Sequence, residues 1–218
     1  MDHTAVLFDL DGTLLDTLAD IAHASNAAIA TLGFPQHPVQ AFRYFVGDGI
    51  EVLARRILPE NHRSDSDVAA SLAAINREFG AGLLVETRPY DGISELLSRL
   101  AHKSVKLAVV SNKPHEFVTR SVAANFESGL FSAVLGQRKN VPIKPDPTIA
   151  LEAARLLSVA DPGQCLYVGD SGVDMRTAVN AGMYPVGVLW GFRDADELLA
   201  NGAKTLIKKP SELLPLLN

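Results

Sequence analysis

Short apolar runs alternate with longer amphipathic stretches through the second half of this chain of 218 residues. A short apolar run bounded by Gly, Asp or Pro is typical of a strand that is buried on both faces. The amphipathic stretches have the spacing of helices that cover a core on one side. This alternation predicts an α/β fold: a doubly wound, Rossmann-like parallel sheet with helices on both faces.

The predicted strands are rich in β-branched residues, and the predicted helices begin at Pro or Asp and often end at Gly. We expect the first strand, close to the N-terminus, to be central in the sheet. The predicted strands are residues 5–8, 105–110, 133–135, 166–168, 185–189 and 205–207. The predicted helices are residues 114–125, 147–157, 174–181, 195–200 and 210–217.

Residues 16–87 break the alternation and contain no run that resembles a strand. One amphipathic helix is predicted to start at Asp16 or Thr17 and to end at Gly33. A second is predicted from Asp67 to Gly80. The pattern therefore predicts a helical segment inserted after the first strand.

This insertion defines the expected domain organisation. Residues 1–15 with 88–218 are expected to form an α/β core domain, and residues 16–87 a helical cap domain. The cap is expected to lie over the carboxyl edge of the sheet as a lid, with Gly82 and residues 89–92 as the return hinge.

The composition argues against several classes of partner and location. The net charge of −5 and the lack of a Lys/Arg cluster argue against nucleic acid as a partner, and no apolar stretch is long enough to span a membrane. The N-terminus lacks the features of a signal peptide. The single cysteine, Cys165, lies in an apolar run, which suits a small core residue in a reducing cytoplasm. We expect a cytoplasmic protein, either a monomer or a homodimer, that acts on a small molecule.

Acidic residues follow two of the predicted strands. Asp9 and Asp11 come after residues 5–8, and Asp170 and Asp174 come after residues 166–168. Unit charges about 4 Å apart repel by roughly 4 kcal/mol at an effective dielectric constant near 20, so converging carboxylates need a cation. Helix capping would explain Asp174, but it does not explain acids at both positions 9 and 11. The pattern predicts a Mg²⁺ site with oxygen ligands.

Polar residues at two further positions suit phosphoryl transfer. Ser111 and Asn112 follow a predicted strand, and Lys144 lies in a Pro-rich turn before a predicted helix. We expect Asp9 to attack phosphorus and Asp11 to act as the general acid and base. Lys144 and Ser111 are then expected to hold the phosphoryl oxygens.

These residues, in this order, resemble the haloacid dehalogenase superfamily of phosphohydrolases along nearly the whole chain. The resemblance implies that Asp9 is the nucleophile and Asp11 the acid/base. It also implies that Mg²⁺ is bound by Asp9, the main-chain carbonyl of Asp11 and Asp170, with Asp174 acting through water or in the second shell. An acid at position 11 argues against dehalogenation, because dehalogenases of the superfamily lack it.

Residues 42–49, 111–113 and 182–185 resemble the phosphoglycolate phosphatase branch of that superfamily. The likeness implies that residues 46–49 face the active site, so that the predicted substrate-binding residues are Gly47, Asp48, Gly49, Ser111, Asn112 and Lys144. Asp48 would repel the carboxylate of phosphoglycolate, and an inward-pointing Asp48 would favour a substrate with a hydroxyl or amine. Residues 47–49 fit an ordinary turn equally well.

The expected function is a Mg²⁺-dependent phosphatase that uses an aspartyl-phosphate intermediate, with 2-phosphoglycolate as the first candidate substrate. The alternatives are a phosphomutase of the β-phosphoglucomutase type, a phosphatase of a sugar phosphate, nucleotide or pyrophosphate, and a regulatory module without turnover. Residues 190–193 fit either a wall of the pocket or, as we expect, core packing followed by a surface Arg. The six histidines have no metal-ligand spacing.

Overall fold

The computed structural model describes residues 3–82 and 85–217. The chain divides into two compact units. The core unit consists of the residues up to Asp16 and those from Arg88 onward, and the helical unit is Thr17–Thr87.

The described part of the core unit contains a sheet of six parallel strands. Its strands are β1 Ala5–Phe8, β4 Lys106–Pro114, β5 Ala133–Gln137, β6 Cys165–Gly169, β7 Tyr184–Val188 and β8 Thr205–Ile207, and β2 Leu15–Asp16 and β3 Arg88–Pro89 form a separate antiparallel pair. The strand order in the large sheet is β5-β4-β1-β6-β7-β8. The predicted parallel sheet and the central position of the first strand are therefore confirmed.

The helices lie in both units. They are α1 Leu18–Thr31, α2 Phe42–Phe45, α3 Ile50–Arg56, α4 Asp65–Gly80, α5 Ile93–His102, α6 His115–Asn125, α7 Thr148–Leu156, α8 Gly172–Asn180 and α9 Ala195–Ala200, with short 3-10 helices at Val39–Ala41, Glu60–His62, Pro162–Gln164 and Pro210–Leu217. Among the described residues, no helix is long and apolar enough to cross a membrane.

Alternate residues of β1 pack on opposite faces of the sheet. Val6 and Phe8 belong to a hydrophobic cluster with residues of α5 and α6, whereas Ala5 and Leu7 belong to a cluster with residues of α7 and α8. A strand that is buried on both faces carries a continuous apolar run, which is the pattern that predicted β1. Cys165 is buried in the second cluster, which confirms its expected role as a small core residue.

Several predicted boundaries were wrong for local reasons. The last predicted helix is a 3-10 helix, and α8 begins at Gly172 because the side chain of Ser171 caps it. In the same way, Ser64 accepts a hydrogen bond from the main-chain N–H of Asp67, so α4 begins at Asp65. The amphipathic helix α5 is absent from the elements predicted from the sequence, although Ile93, Leu96, Leu97 and Leu100 follow helical spacing.

The helical unit contains α1 to α4, and none of its described residues, 17–82 and 85–87, lies in a strand. Its last residues are joined to α1 by Asp20, whose carboxylate accepts hydrogen bonds from the main-chain N–H groups of Glu86 and Thr87 and from the Thr87 hydroxyl. Burial raises the pKa of Asp20, but these hydrogen bonds outweigh it and lower that pKa below its ordinary value.

The strand β4 contains a bulge at its carboxyl end. Val110 pairs with Leu135 and Pro114 pairs with Gln137, so residues 111–113 of β4 stand opposite Gly136 alone. A Cβ atom at position 136 would lie 2.7 Å from both the His115 Cα and the Lys113 carbonyl oxygen. The bulge turns residues 111–113 away from regular pairing, and it requires glycine on the neighbouring strand.

We predict that Gly136→Ala destabilises the protein by about 1–3 kcal/mol, because the added methyl group would overlap main-chain atoms of the bulge. Chemical unfolding followed by far-UV circular dichroism measures the change. Gly80→Ala is the matched control, since nothing lies within 4 Å of the added Cβ there. A Gly136→Ala protein as stable as the Gly80→Ala protein would contradict this account of the bulge.

Candidate active site

Three neighbouring strands end at the same edge of the sheet. Because β1 lies between β4 and β6, Asp9 follows the central strand, Asp170 follows one neighbour, and Ser111 lies in the bulge of the other. All three side chains are buried. Parallel strands gather their functional groups at this edge, which is where the site was predicted.

The structure brings together three acids that the sequence singled out. Oxygen atoms of Asp9, Asp170 and Asp174 all lie within 4.8 Å of one another, and all three residues are buried. Asp174 reaches this cluster from the first turn of α8, where it also forms a capping box with Ser171. Capping and membership of the acidic cluster are therefore compatible for Asp174.

The ammonium group of Lys144 lies among these acids. Its Nζ atom donates to Asp9 Oδ1 at 2.8 Å, to Asp174 Oδ1 at 2.7 Å and to the carbonyl oxygen of Val110 at 3.2 Å. An ammonium group has three N–H donors, so these contacts use all of them. Lys144 thus neutralises part of the negative charge inside the cluster.

Asn112 holds the main chain of Lys144. Its Oδ1 accepts from the Lys144 N–H at 2.8 Å, and its Nδ2 donates to the Lys144 carbonyl oxygen at 3.1 Å. Both partners are buried. The predicted role of Asn112 in substrate binding therefore has a structural alternative, which is to fix the turn that carries Lys144.

Asp11 has a partner that was not predicted from the sequence. Lys113 Nζ lies 2.8 Å from Asp11 Oδ1, and each side chain is only 10% exposed. Lys113 is the third residue of the bulge in β4, and the main-chain N–H of Lys113 donates to the Ser111 hydroxyl. Only the strand register reveals this pairing, because nothing in the sequence indicates that Lys113 turns toward Asp11.

Asp170 is enclosed by a main-chain N–H group, a hydroxyl group and two glycines. Its Oδ2 accepts from the N–H of Phe192 at 2.7 Å, and its Oδ1 accepts from the hydroxyl of Thr13 at 3.3 Å. Added Cβ atoms at Gly12 and Gly191 would each lie 2.3 Å from an atom of Asp170. The loop after β7 therefore fixes the position of this carboxylate.

The interpretation of residues 190–193 was right about core packing, since Trp190 packs against the first hydrophobic cluster and Phe192 is buried, but wrong about a surface Arg. The Trp190 Nε1 donates to the Thr13 carbonyl oxygen at 3.0 Å, so this loop contacts the site. The side chain of Arg193 is only 10% exposed and lies 3.2 Å from Glu197. These contacts depend on how two distant loops meet, which hydropathy does not reveal.

Burial and like charges shift the pKa values of the acids. Burial raises the pKa of Asp9 well above its ordinary value, and the Asp174 charge raises it further, although Lys144 lowers it. Burial, followed by the Asp174 charge, raises the pKa of Asp170 to about 7. Burial lowers the pKa of Lys144, but the charges of Asp174 and Asp9 outweigh it and raise that pKa well above its ordinary value.

These residues fit a divalent cation with oxygen ligands. Lys113 pairs with Asp11, and Lys144 pairs with Asp9 and Asp174, whereas Asp170 pairs with neither ammonium group in the described part of the chain. The four carboxylates and two ammonium groups leave an excess of two negative charges when all are ionised. A divalent cation would balance this excess, and carboxylate oxygens suit Mg²⁺. The same excess adds to the effect of burial, which is the larger cause of the raised pKa values of Asp9 and Asp170.

A second group of possible metal ligands lies in the helical unit and consists of Asp20, His23 and Glu86. It includes a histidine, although histidine spacing in the sequence gave no such indication. The carboxylate of Asp20 already accepts the hydrogen bonds described above, and His23 is 3.3 Å from Glu86. These contacts explain why the three residues lie together: they attach the last residues of the helical unit to α1.

The predicted substrate residues Gly47, Asp48 and Gly49 lie between α2 and α3 in the helical unit. Both glycines have positive φ angles, 123° and 89°. Asp48 Oδ2 lies 2.7 Å from Arg56 Nη1, and the same Arg56 atom donates to the carbonyl oxygens of Tyr44 and Phe45. The charge of Asp48 is therefore paired within its own unit.

Comparisons with known proteins agree with this arrangement. The model of the haloacid dehalogenase-like hydrolase family matches residues 6–188. A phosphoglycolate phosphatase of Pseudomonas putida is 33% identical over 96% of this chain and 78% of its own length. One from Vibrio parahaemolyticus is 31% identical over 98% of this chain and 95% of its own length. The crystal structure of a predicted phosphoglycolate phosphatase from Haemophilus somnus superposes with a TM-score of 0.91 at 26% identity, covering 100% and 99% of the two chains.

We predict that Mg²⁺ stabilises the protein more at about pH 8 than at about pH 5.5, because Asp170 must lose its proton to bind the ion. The folded pKa of about 7 exceeds the ordinary value of 3.8, so the folded protein binds more protons between these values. Without metal, the contribution of Asp170 to stability therefore falls as pH rises from about 4 to 7. With Mg²⁺ at about 100 times its Kd, the gain is about 2.7 kcal/mol, or roughly 5–10 °C in Tm.

Thermal unfolding with chelator and with Mg²⁺, at both pH values, measures this effect. Asp170→Asn is expected to remove most of the Mg²⁺ response and to raise the Tm of the metal-free protein at the higher pH. Asp196→Asn, at an exposed position of α9, is the matched control. An undiminished response in the Asp170→Asn protein would contradict the assignment of Asp170.

Proposed function

The chain belongs to the haloacid dehalogenase-like hydrolase family, as its motifs predicted, and we propose that it is a Mg²⁺-dependent phosphatase that acts on 2-phosphoglycolate. The observation that carries this proposal is the buried cluster of Asp9, Asp170 and Asp174 around the Lys144 ammonium. Such a cluster, once loaded with a divalent cation, suits a phosphate dianion. The relatives named above support the choice of substrate.

The proposed reaction has two displacements at phosphorus. A carboxylate oxygen of Asp9 attacks, so that an Asp9 O–P bond forms while the bond between phosphorus and the ester oxygen breaks. Asp11 must carry a proton at this point, and it donates that proton to the departing alcohol oxygen. Asp11 then takes a proton from a water molecule, which attacks phosphorus, breaks the Asp9 O–P bond and releases inorganic phosphate.

The contact with Lys113 gives Asp11 a cationic partner of its own. Lys113 holds the Asp11 carboxylate apart from the Lys144 cluster, so the two acids of the motif have different cationic partners. To reach the departing oxygen, Asp11 must either leave Lys113 or transfer its proton while it remains in contact with Lys113. Lys113 would then position the acid/base between turnovers.

The remaining groups would hold the phosphoryl oxygens. Lys144 already uses its three donors on protein acceptors, so binding a phosphoryl oxygen requires the exchange of one of these contacts. The Ser111 hydroxyl, which is buried and follows Val110 in β4, would supply a neutral donor. The charge of the dianion compensates Lys144 for the contact that it gives up.

Mg²⁺ would be held by Asp9, the main-chain carbonyl of Asp11 and Asp170, with Asp174 acting through water or through Lys144. When bound, the ion supplies positive charge that offsets the buried carboxylates and the phosphate dianion. The enclosure of Asp170 by Thr13 and Phe192 would keep that ligand in place.

The ion pair of Asp48 with Arg56 removes the main objection to phosphoglycolate as the substrate. If residues 46–49 contact the leaving group, a paired Asp48 repels the carboxylate of phosphoglycolate far less than a lone charge would. The expected repulsion by Asp48 is therefore no longer a reason to prefer a substrate with a hydroxyl or amine.

We predict that Asp9→Asn lowers the turnover of p-nitrophenyl phosphate by at least about 10³-fold, because an amide is a poor nucleophile toward phosphorus. Chelation of Mg²⁺ is expected to abolish turnover of the parent. Asp196→Asn should retain full activity, and circular dichroism checks that the Asp9→Asn protein is folded. Residual turnover of the folded Asp9→Asn protein near the parent rate would end the proposed mechanism.

We predict that Asp48→Asn changes kcat/KM for 2-phosphoglycolate by less than about 3-fold, since the charge it removes is already paired. Arg56→Ala should lower kcat/KM for 2-phosphoglycolate relative to p-nitrophenyl phosphate, which has no carboxylate. The panel includes a hexose phosphate, a nucleotide and pyrophosphate. Isomer formation from the hexose phosphate without release of inorganic phosphate would favour a mutase, and faster glycolate release by Asp48→Asn would show that Asp48 opposes that substrate.

A further inference from the structure

The side chain of Asn112 forms a reciprocal pair of hydrogen bonds with the main chain of Lys144. It accepts from the Lys144 N–H at 2.8 Å and donates to the Lys144 carbonyl oxygen at 3.1 Å. Such a pair fixes both the position and the orientation of a residue, since it engages the two polar groups of the main chain at once. Asn112 is only 5% exposed, so water does not compete strongly for these bonds.

Lys144 needs such support because it belongs to a turn. It lies outside the strands and helices, before Pro145 and α7, and its side chain is only 2% exposed. A buried ammonium is stable only when its charge and its donors are satisfied. The Lys144 Nζ atom meets this condition at one place, where Asp9, Asp174 and the Val110 carbonyl oxygen converge.

Two of the residues that hold Lys144 in place, Val110 and Asn112, lie in strand β4. The Val110 carbonyl oxygen receives the ammonium, and Asn112, two residues further along, holds the main chain. The same strand pairs with β1, which ends beside Asp9. Asp9 and Lys144 are therefore placed relative to one rigid strand, and the bulge opposite Gly136 presents Asn112 to the turn.

We propose that Asn112 is a positioning residue, whose role is to set the Lys144 ammonium between Asp9 and Asp174 and not to bind the substrate. This inference rests on the proposed function, in which Lys144 serves phosphoryl transfer. It replaces the expectation that Asn112 contacts the substrate directly. It also assigns separate tasks to the three residues of the bulge: Ser111 faces the phosphoryl group, Asn112 holds Lys144, and Lys113 holds Asp11.

A double-mutant cycle separates positioning from substrate contact. Asn112→Ala is expected to lower kcat/KM for p-nitrophenyl phosphate by about 10- to 100-fold, as is usual for residues that orient a functional group. In the Lys144→Met background, the same change should cost less than about 3-fold, because the group that Asn112 positions is gone. Asn180→Ala is the matched control, since Asn180 donates to the carbonyl oxygen of Pro145, the next residue. It should leave kcat/KM unchanged.

A spectroscopic measurement tests the inference without turnover. The ammonium ¹H–¹⁵N signal of Lys144, identified by its absence in the Lys144→Met protein, should be present in the parent and in Asn180→Ala. It should be lost in Asn112→Ala, while the signal of Lys113 remains as an internal reference. Asn112→Asp is a second variant for the case in which Asn112→Ala does not fold. It keeps the acceptor but loses the donor to the Lys144 carbonyl oxygen, so the Lys144 signal is expected to be lost here as well.

The two proposals fail in different ways. A parent protein that hydrolyses no phosphate ester would end the proposed function, and the Lys144 signal would still test the role of Asn112. An active parent in which the effects of Asn112→Ala and Lys144→Met multiply fully would overturn the positioning role alone. An unchanged Lys144 signal in Asn112→Ala would overturn it as well.

Discussion

The buried ammonium of Lys144 between Asp9 and Asp174 is the interaction on which the site depends. Four carboxylates at one edge of a sheet repel one another, and removing them from water makes each negative charge harder to maintain. Lys144 relieves part of this repulsion, and Lys113 relieves another part at Asp11. The structure stops short of neutrality, which leaves a place for a divalent cation. Three structural features hold these charged groups close together although the carboxylates repel one another. They are the capping of α8, the bulge in β4 and the enclosure of Asp170.

Most of the fold could be predicted because its strands are buried on both faces. A run such as residues 5–8 must be apolar at every position, so β1 was located with the bounds that the structure has. Helix boundaries were less accurate because they depend on single capping side chains such as those of Ser64 and Ser171. The short helices α2 and α3 were not predicted, since a few residues carry too little periodicity to reveal a helix.

The site could be predicted only where sequence position determines spatial position. Acids that follow parallel strands converge because the strands themselves do, so the grouping of Asp9 and Asp170 was foreseeable. The pairing of Lys113 with Asp11 was not, because it depends on a bulge whose existence requires Gly136 on another strand. The contact of Asp170 with the loop after β7 likewise depends on two glycines that leave room for it. The local sequence identifies the functional side chains, whereas strand register and close packing determine which of them are in contact.

The small antiparallel pair of β2 and β3 has a consequence for how this molecule can vary. Leu15 pairs with Pro89 and Asp16 with Arg88, so the chain leaves the core unit and returns to it through adjacent strands. A segment whose two ends begin side by side can be exchanged for one of different length or structure without moving any strand of the large sheet. The core unit and the helical unit are therefore free to vary independently, because the main chain passes from one to the other beside this strand pair.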